Sequence, residues 1–136
     1  MLYKGNPVYI FDILEFTRDK IAFKEDAVFL IAVNDIDNTK ILDCIRDILE
    51  TKCNYIMTYG NTAEELHDAI DEIIIEQSLA NPHLIDIVTV YFNEKILFDT
   101  LDFFMNYTYL KEDKHNYVII ADENHYNSIK EWLNNL

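Results

Sequence analysis

A fourfold alternation of apolar strand-like runs with amphipathic helix-like runs constrains this chain most. The first run, "AVFLIAV" (Ala27–Val33), is apolar without a break. A strand with one wet face alternates polar and apolar residues, whereas a continuous run suits a strand covered on both faces. "NTKILDCIRDILETK" follows, with Ile41, Leu42, Ile45, Ile48 and Leu49 at helical spacing and Asn38 or Thr39 placed to cap its start. "CNYIMTYG" is a second strand, short and rich in strand formers. "NTAEELHDAIDEIIIEQSLAN" is a second helix, with Leu66, Ala69, Ile70, Ile73 and Ile74 on one face and Asn81-Pro82 as its stop. Thr62 and Glu65 have the spacing of a capping box.

The third strand is expected over Leu84–Phe92, and the third helix over "NEKILFDTLDFFMNYTYL". A fourth strand, Asn116–Asp122, precedes a C-terminal helix with Tyr126, Ile129, Trp132 and Leu133 turned inward. Strands alternating with helices of this length predict an α/β fold: a three-layer Rossmann-like or flavodoxin-like domain, with about four parallel strands and helices on both faces. The 136 residues suit one domain, and half of them are hydrophobic, enough for a core. Residues 1–26 are ambiguous. "PVYIFDILEFTRDKIAF" fits either a helix starting at Pro7 or an extra edge strand followed by a loop.

Open parallel sheets bind ligands at the carboxyl ends of their strands. Four loops reach that edge. They carry Asn34, Asp35 and Asp37, then Tyr59, Gly60, Asn61 and Thr62, then Asn93 and Glu94, then Asp122, Glu123, Asn124 and His125. Gly60 stands alone at a strand-to-helix elbow, without the further glycines of a dinucleotide turn or the Gly-Lys-Ser/Thr of a P-loop. It therefore reads as a backbone device. "NDID" echoes the paired acids of a receiver domain, but the third strand ends "VYFNEK", without the required aspartate. No serine or cysteine occupies a nucleophile elbow. Cys44 and Cys53 read as buried reduced thiols.

The acids with His125 admit a divalent metal with hard oxygen ligands, although acids at helix starts also complement the macrodipole. His67 and Asp71, one helical turn apart, predict an ion pair. Together these arguments mark Asp35, Asp37, Tyr59, Asn61, His67, Asp71, Asp122, Glu123 and His125 as candidate binding residues. No cofactor is required.

The net charge is −14. Such a field disfavours nucleic acid and anionic membranes and steers a basic protein toward the chain. No apolar run reaches the roughly 18 residues that span a bilayer, and Asp12 and Glu15 interrupt the apolar N-terminal stretch, so a cytoplasmic protein is expected.

"YIMTYG", then a helix bearing "HDAIDE", then a strand and "LDFFMNYTY" resemble a small bacterial α/β family of unknown function. The matching positions are Tyr59, Gly60, His67, Asp68, Asp71 and Glu72, and the likeness spans roughly Val28 to Leu133. It implies a single α/β domain and raises the interest of His67 and Asp71, but implies no activity. The expectation drawn from all this is a non-enzymatic module for a basic protein partner, of immunity or antitoxin type. Aromatic residues of the third helix are available to seal that partner or a homodimer. The alternative is a metal-dependent hydrolase or phosphoryl-transfer enzyme at the acidic carboxyl edge.

Overall fold

A computed structural model describes residues 1–34, 39–93 and 96–136. Asp35, Asp37, Asn38, Glu94 and Lys95 lie outside the described residues. Among the described residues, six strands form one mixed sheet: β1 (Leu2–Tyr3), β2 (Asn6–Asp12), β3 (Asp26–Ala32), β4 (Cys53–Tyr59), β5 (Val88–Phe92) and β6 (His115–Ala121). Their spatial order is β1-β2-β6-β3-β4-β5. Only β1 is antiparallel, paired with β2; every other neighbouring pair is parallel. The helices are α1 (Thr39–Ile48), α2 (Ala63–Ser78), α3 (Leu97–Tyr107) and α4 (Tyr126–Asn134).

The expected four strands are present, and the N-terminal segment adds two more. "PVYIFD" is strand rather than helix. Val8 and Ile10 face one side of the sheet and Tyr9 and Phe11 the other, so both faces of β2 find apolar cover. Nor is β2 an edge strand, because the β1 hairpin flanks it. Two further expectations need correction. Residues 82–86 of the expected third strand form a 3-10 helix with Pro82 in its first turn, and the strand itself starts at Val88. Proline's fixed φ and missing N–H favour a helical first turn over a ladder position. The Thr62–Glu65 capping box does not form; the Thr62 hydroxyl instead donates to the Asn34 carbonyl at 3.2 Å.

Two cores sandwich the sheet. On one face Phe29, Ile31, Ile56, Val118 and Ile120 pack under α1 and α2 through Ile45, Ile48, Leu66 and Ile70. On the other, Val28, Leu30, Met57 and Ile119 pack under α3 and α4 through Leu101, Phe104, Ile129 and Leu133. The chain steps β3-β4-β5 in one direction with α1 and α2 on one face, then returns through α3 on the opposite face to place β6 beside β3. Right-handed crossovers require that reversal to change faces. Strands β5-β4-β3-β6 thus run in the 3-2-1-4 order that opens a doubly wound sheet, with β2 in the fifth position. The reversal makes the β3–β6 boundary the switch point, where a crevice is expected. Cys44 and Cys53 are buried free thiols, as expected, and burial pushes each up to about 12.

Candidate functional site

The strand ends at the switch point are tied together by polar groups. β6 delivers Asp122, whose backbone N–H donates to the Ala32 carbonyl of β3 at 3.1 Å. Its carboxylate accepts the Asn34 N–H at 2.7 Å, the Asn124 N–H at 3.1 Å and the Nδ1 side of His125 at 2.8 Å. Asn34 links onward to β4: its side-chain oxygen accepts the Asn61 N–H at 3.1 Å and its carbonyl accepts the Thr62 hydroxyl. The Tyr59 ring meets the His125 ring edge-on at 5.5 Å, and burial raises the Tyr59 phenol above its ordinary value.

Gly60 belongs to this clasp for a steric reason. Its φ is +130°, and a Cβ there would lie 2.3 Å from the Val33 carbonyl oxygen and 2.9 Å from the Asn34 side-chain oxygen. Only glycine lets the β4 elbow sit against the β3 end. Beside the clasp, Ile13, Leu14, Val33, Ile41, Asp122, Glu123 and Asn124 line a hollow of about 280 Å³. A larger one, about 560 Å³, lies away from this crevice among Arg18, Asp19, Phe23, Asp47 and Glu50. Two of its charges already engage each other in the Arg18–Glu50 ion pair.

Asp122 and His125 have the geometry of a carboxylate that orients an imidazole, the arrangement used for proton transfer. The carboxylate is nonetheless engaged by three internal donors. The neighbouring hydroxyls of Thr58 and Thr62 donate to the backbone carbonyls of Ala63 and Asn34, so neither is poised as a nucleophile. Among the described residues, no three His, Cys, Asp or Glu side chains are grouped to hold a metal ion. Asp35 and Asp37, expected to join such a group, lie outside the described residues.

The remaining candidates sit elsewhere. His67 and Asp71 project from α2 over β5. The His67 Nε2 lies 3.5 Å from an Asp71 oxygen and 3.3 Å from the Thr89 carbonyl, and its Nδ1 lies 3.0 Å from Asp68. The Thr89 hydroxyl donates to Asp71 at 2.6 Å, and the His67 ring meets the Tyr91 ring at 5.2 Å. The structure therefore divides the candidates into two groups. Tyr59, Asn61, Asp122, Glu123 and His125 share the carboxyl edge, with Asn61 joined through its backbone and Glu123 exposed at the rim. His67 and Asp71 brace α2 against β5. Sequence reasoning missed Asn34 as the hub of the first group and Thr89 and Tyr91 as partners in the second. Spacing along one helix reveals i,i+4 pairs but is blind to partners on another element.

The surface around the second group is charged in one sense. Residues 53–94 contain eight acids and no Lys or Arg, so −8 of the net −14 falls on this stretch. Glu64, Asp68, Glu72 and Glu76 repeat at four-residue intervals on α2, and all four are exposed. Ile75, Leu79, Ile85 and Val88 stand exposed on the same run of elements, Leu79 at 90%. On the other face of the sheet, Phe92 of β5 contacts Phe103 of α3 at 5.1 Å, and Phe103 contacts Tyr107 at 5.5 Å. The α3 aromatics thus divide as expected: Phe104 is buried, while Phe98 and Tyr107 are more than half exposed.

Fold and site together define a small acidic α/β domain with a closed carboxyl edge and an open, charged flank. The chain belongs to the family described as Domain of unknown function (DUF7684), whose profile matches residues 13–135. The match begins upstream of the Val28 boundary suggested by the motif resemblance and leaves out only β1, β2 and the last residue. No curated protein and no solved structure matches the chain. Among the described residues, no helix is long and apolar enough to cross a membrane.

Proposed function

We propose that this domain is a non-enzymatic binding module that captures a basic protein through the α2–β5 flank, in the manner of immunity and antitoxin proteins, in the cytoplasm. One observation carries the reading: the acid stripe on α2. Glu64/Asp68, Asp68/Glu72 and Glu72/Glu76 are like-charge i,i+4 pairs, which together cost the helix about 1 kcal/mol. Glu76 also lies in the last turn of α2, where the macrodipole disfavours an anion. Solubility alone needs acids, but it does not need them aligned where they weaken their own helix. Aligned, they steer and hold a cationic surface.

The test is co-purification of a partner from the source cell at low salt, by wild type and by the triple variant Glu64→Lys, Asp68→Lys, Glu72→Lys. A basic protein retained by wild type, released by salt and absent with the variant supports the reading. A partner retained equally by both refutes it.

The Asp122–His125 pair, with Asp122 lining the switch-point hollow, is the observation behind a second reading, a metal-dependent hydrolase or phosphoryl-transfer enzyme. Thermal unfolding with and without Mg²⁺, Mn²⁺ and EDTA tests it, because an ion bound only by the folded state raises the midpoint. A rise lost in Asp122→Asn supports it; superimposable curves refute it.

A further inference from the structure

We propose that β5 is the docking edge itself, and that the partner adds an extended basic segment to it as a further strand. This rests on the reading above and goes beyond it in naming the recognition element. β5 pairs with β4 on one side, and among the described residues its other side carries no strand. The opposite end of the sheet is the two-residue hairpin strand β1, a very short edge. Exposed edges are normally defended by a lysine, a proline or a bulge, and "VTVYF" has no proline and no charged residue. Such an edge, met by the His67 imidazole at the Thr89 carbonyl, is a template for strand addition.

The two faces flanking this edge differ in chemistry. Thr89 and Tyr91 point toward α2, beneath His67, Asp71 and the acid stripe. Val90 and Phe92 point the other way and continue into the Phe103–Tyr107 rings of α3. A strand laid along β5 sends alternate side chains to these two faces. The complementary segment therefore alternates Lys or Arg with aliphatic residues over about five positions, the length of β5. An incoming N–H replaces the His67 imidazole at the Thr89 carbonyl. Charge also decides against a second copy of this chain as occupant. Two β5 edges brought together would set one −8 segment against another.

The probe is a nine-residue peptide alternating lysine and valine, titrated into the full chain while backbone amide signals are followed by NMR. The expected result is binding with shifts and slowed exchange concentrated at Val88–Phe92. The fully N-methylated peptide keeps the side chains but lacks the N–H donors. It should bind roughly thirtyfold more weakly, as for two lost hydrogen bonds. Equal binding of the methylated peptide, or of one with lysines and valines in separate blocks, overturns strand addition and leaves charge-directed docking standing. No binding, or shifts confined to other elements, also overturns it. A glutamate–valine peptide that binds as tightly overturns the charge-directed reading as well.

Discussion

Gly60→Ala isolates the steric demand at the β4 elbow, and Gly5→Ala is its natural control. Both glycines have positive φ, +130° and +85°. An alanine at Gly5 has nothing within 4 Å, so its cost is backbone strain alone. That strain is about 1 kcal/mol, partly offset by the stiffer unfolded chain. At Gly60 the new methyl falls 2.3 Å from the Val33 carbonyl oxygen. That oxygen cannot retreat freely. The Val33 N–H is bonded to Tyr59 at 3.1 Å, and the next N–H, of Asn34, is bonded to Asp122 at 2.7 Å. Relief must open the clasp, so the total cost is about 3–5 kcal/mol against about 0–1 kcal/mol for Gly5→Ala. Urea unfolding monitored at Trp132 reads both, and the gap should appear as a midpoint lowered by on the order of 10 °C in thermal melts. A Gly60→Ala loss within about 1 kcal/mol of the Gly5→Ala loss would refute the steric argument.

Asp122→Ala strips one acceptor from three donors and should cost about 2–3 kcal/mol in urea unfolding, with the His125 ring resonances shifting as its partner disappears; a loss below about 0.5 kcal/mol would deny the clasp a structural role. Glu76→Lys turns the repulsive i,i+4 pair with Glu72 into an attractive one and places a cation in the C-terminal turn of α2, so it should raise stability by about 0.5–1 kcal/mol while weakening partner binding; reduced stability would undercut the stripe argument. Native protein should leave both cysteines unreactive toward a thiol reagent at pH 8, with two thiols released on unfolding. Because the folded thiols stand at about 12 against 9.0 in the open chain, their contribution is fully present below pH 9 and is lost as pH rises through 9 to 12, so stability should fall steeply there. Cys44→Ser in alkaline unfolding series checks whether that loss shrinks.

The fold was legible where hydrophobic pattern and burial coincide. "AVFLIAV" is continuously apolar because β3 has α1 and α2 over one face and α3 and α4 over the other. Of the first-helix face read as Ile41, Leu42, Ile45, Ile48 and Leu49, all are buried except Leu42, which is partly so. Reading failed where tertiary partners overrule local rules. Thr62 has the spacing of a cap, yet its hydroxyl goes to Asn34, 28 positions away. The apolar stretch from Leu84 looks strand-like, but Ile85 is 66% exposed in a turn begun by Pro82. In the site, acids at strand ends were visible and the position of Asp122 and His125 could be anticipated. The role of Asn34 was not, because an asparagine after a strand carries no sign of the two other strand ends it joins. His67 and Asp71 were paired by spacing, whereas their place on β5 depends on how α2 crosses the sheet.

The position of β6 sets a condition on how the chain can come into being. This strand fills the slot between β2 and β3, yet among the described strands it comes last in chain order. While the ribosome still holds residues 115–121, β2 has no partner but the two-residue β1, and β3 lacks one of its two neighbours. The β3-α1-β4-α2-β5 portion can assemble before β6 emerges, but β2 gains its parallel ladder partner only once residues 115–121 are available. Completing the sheet therefore requires the insertion of a central strand. A chain cut short before residue 115 loses the middle of its sheet, a far heavier loss than the removal of an edge.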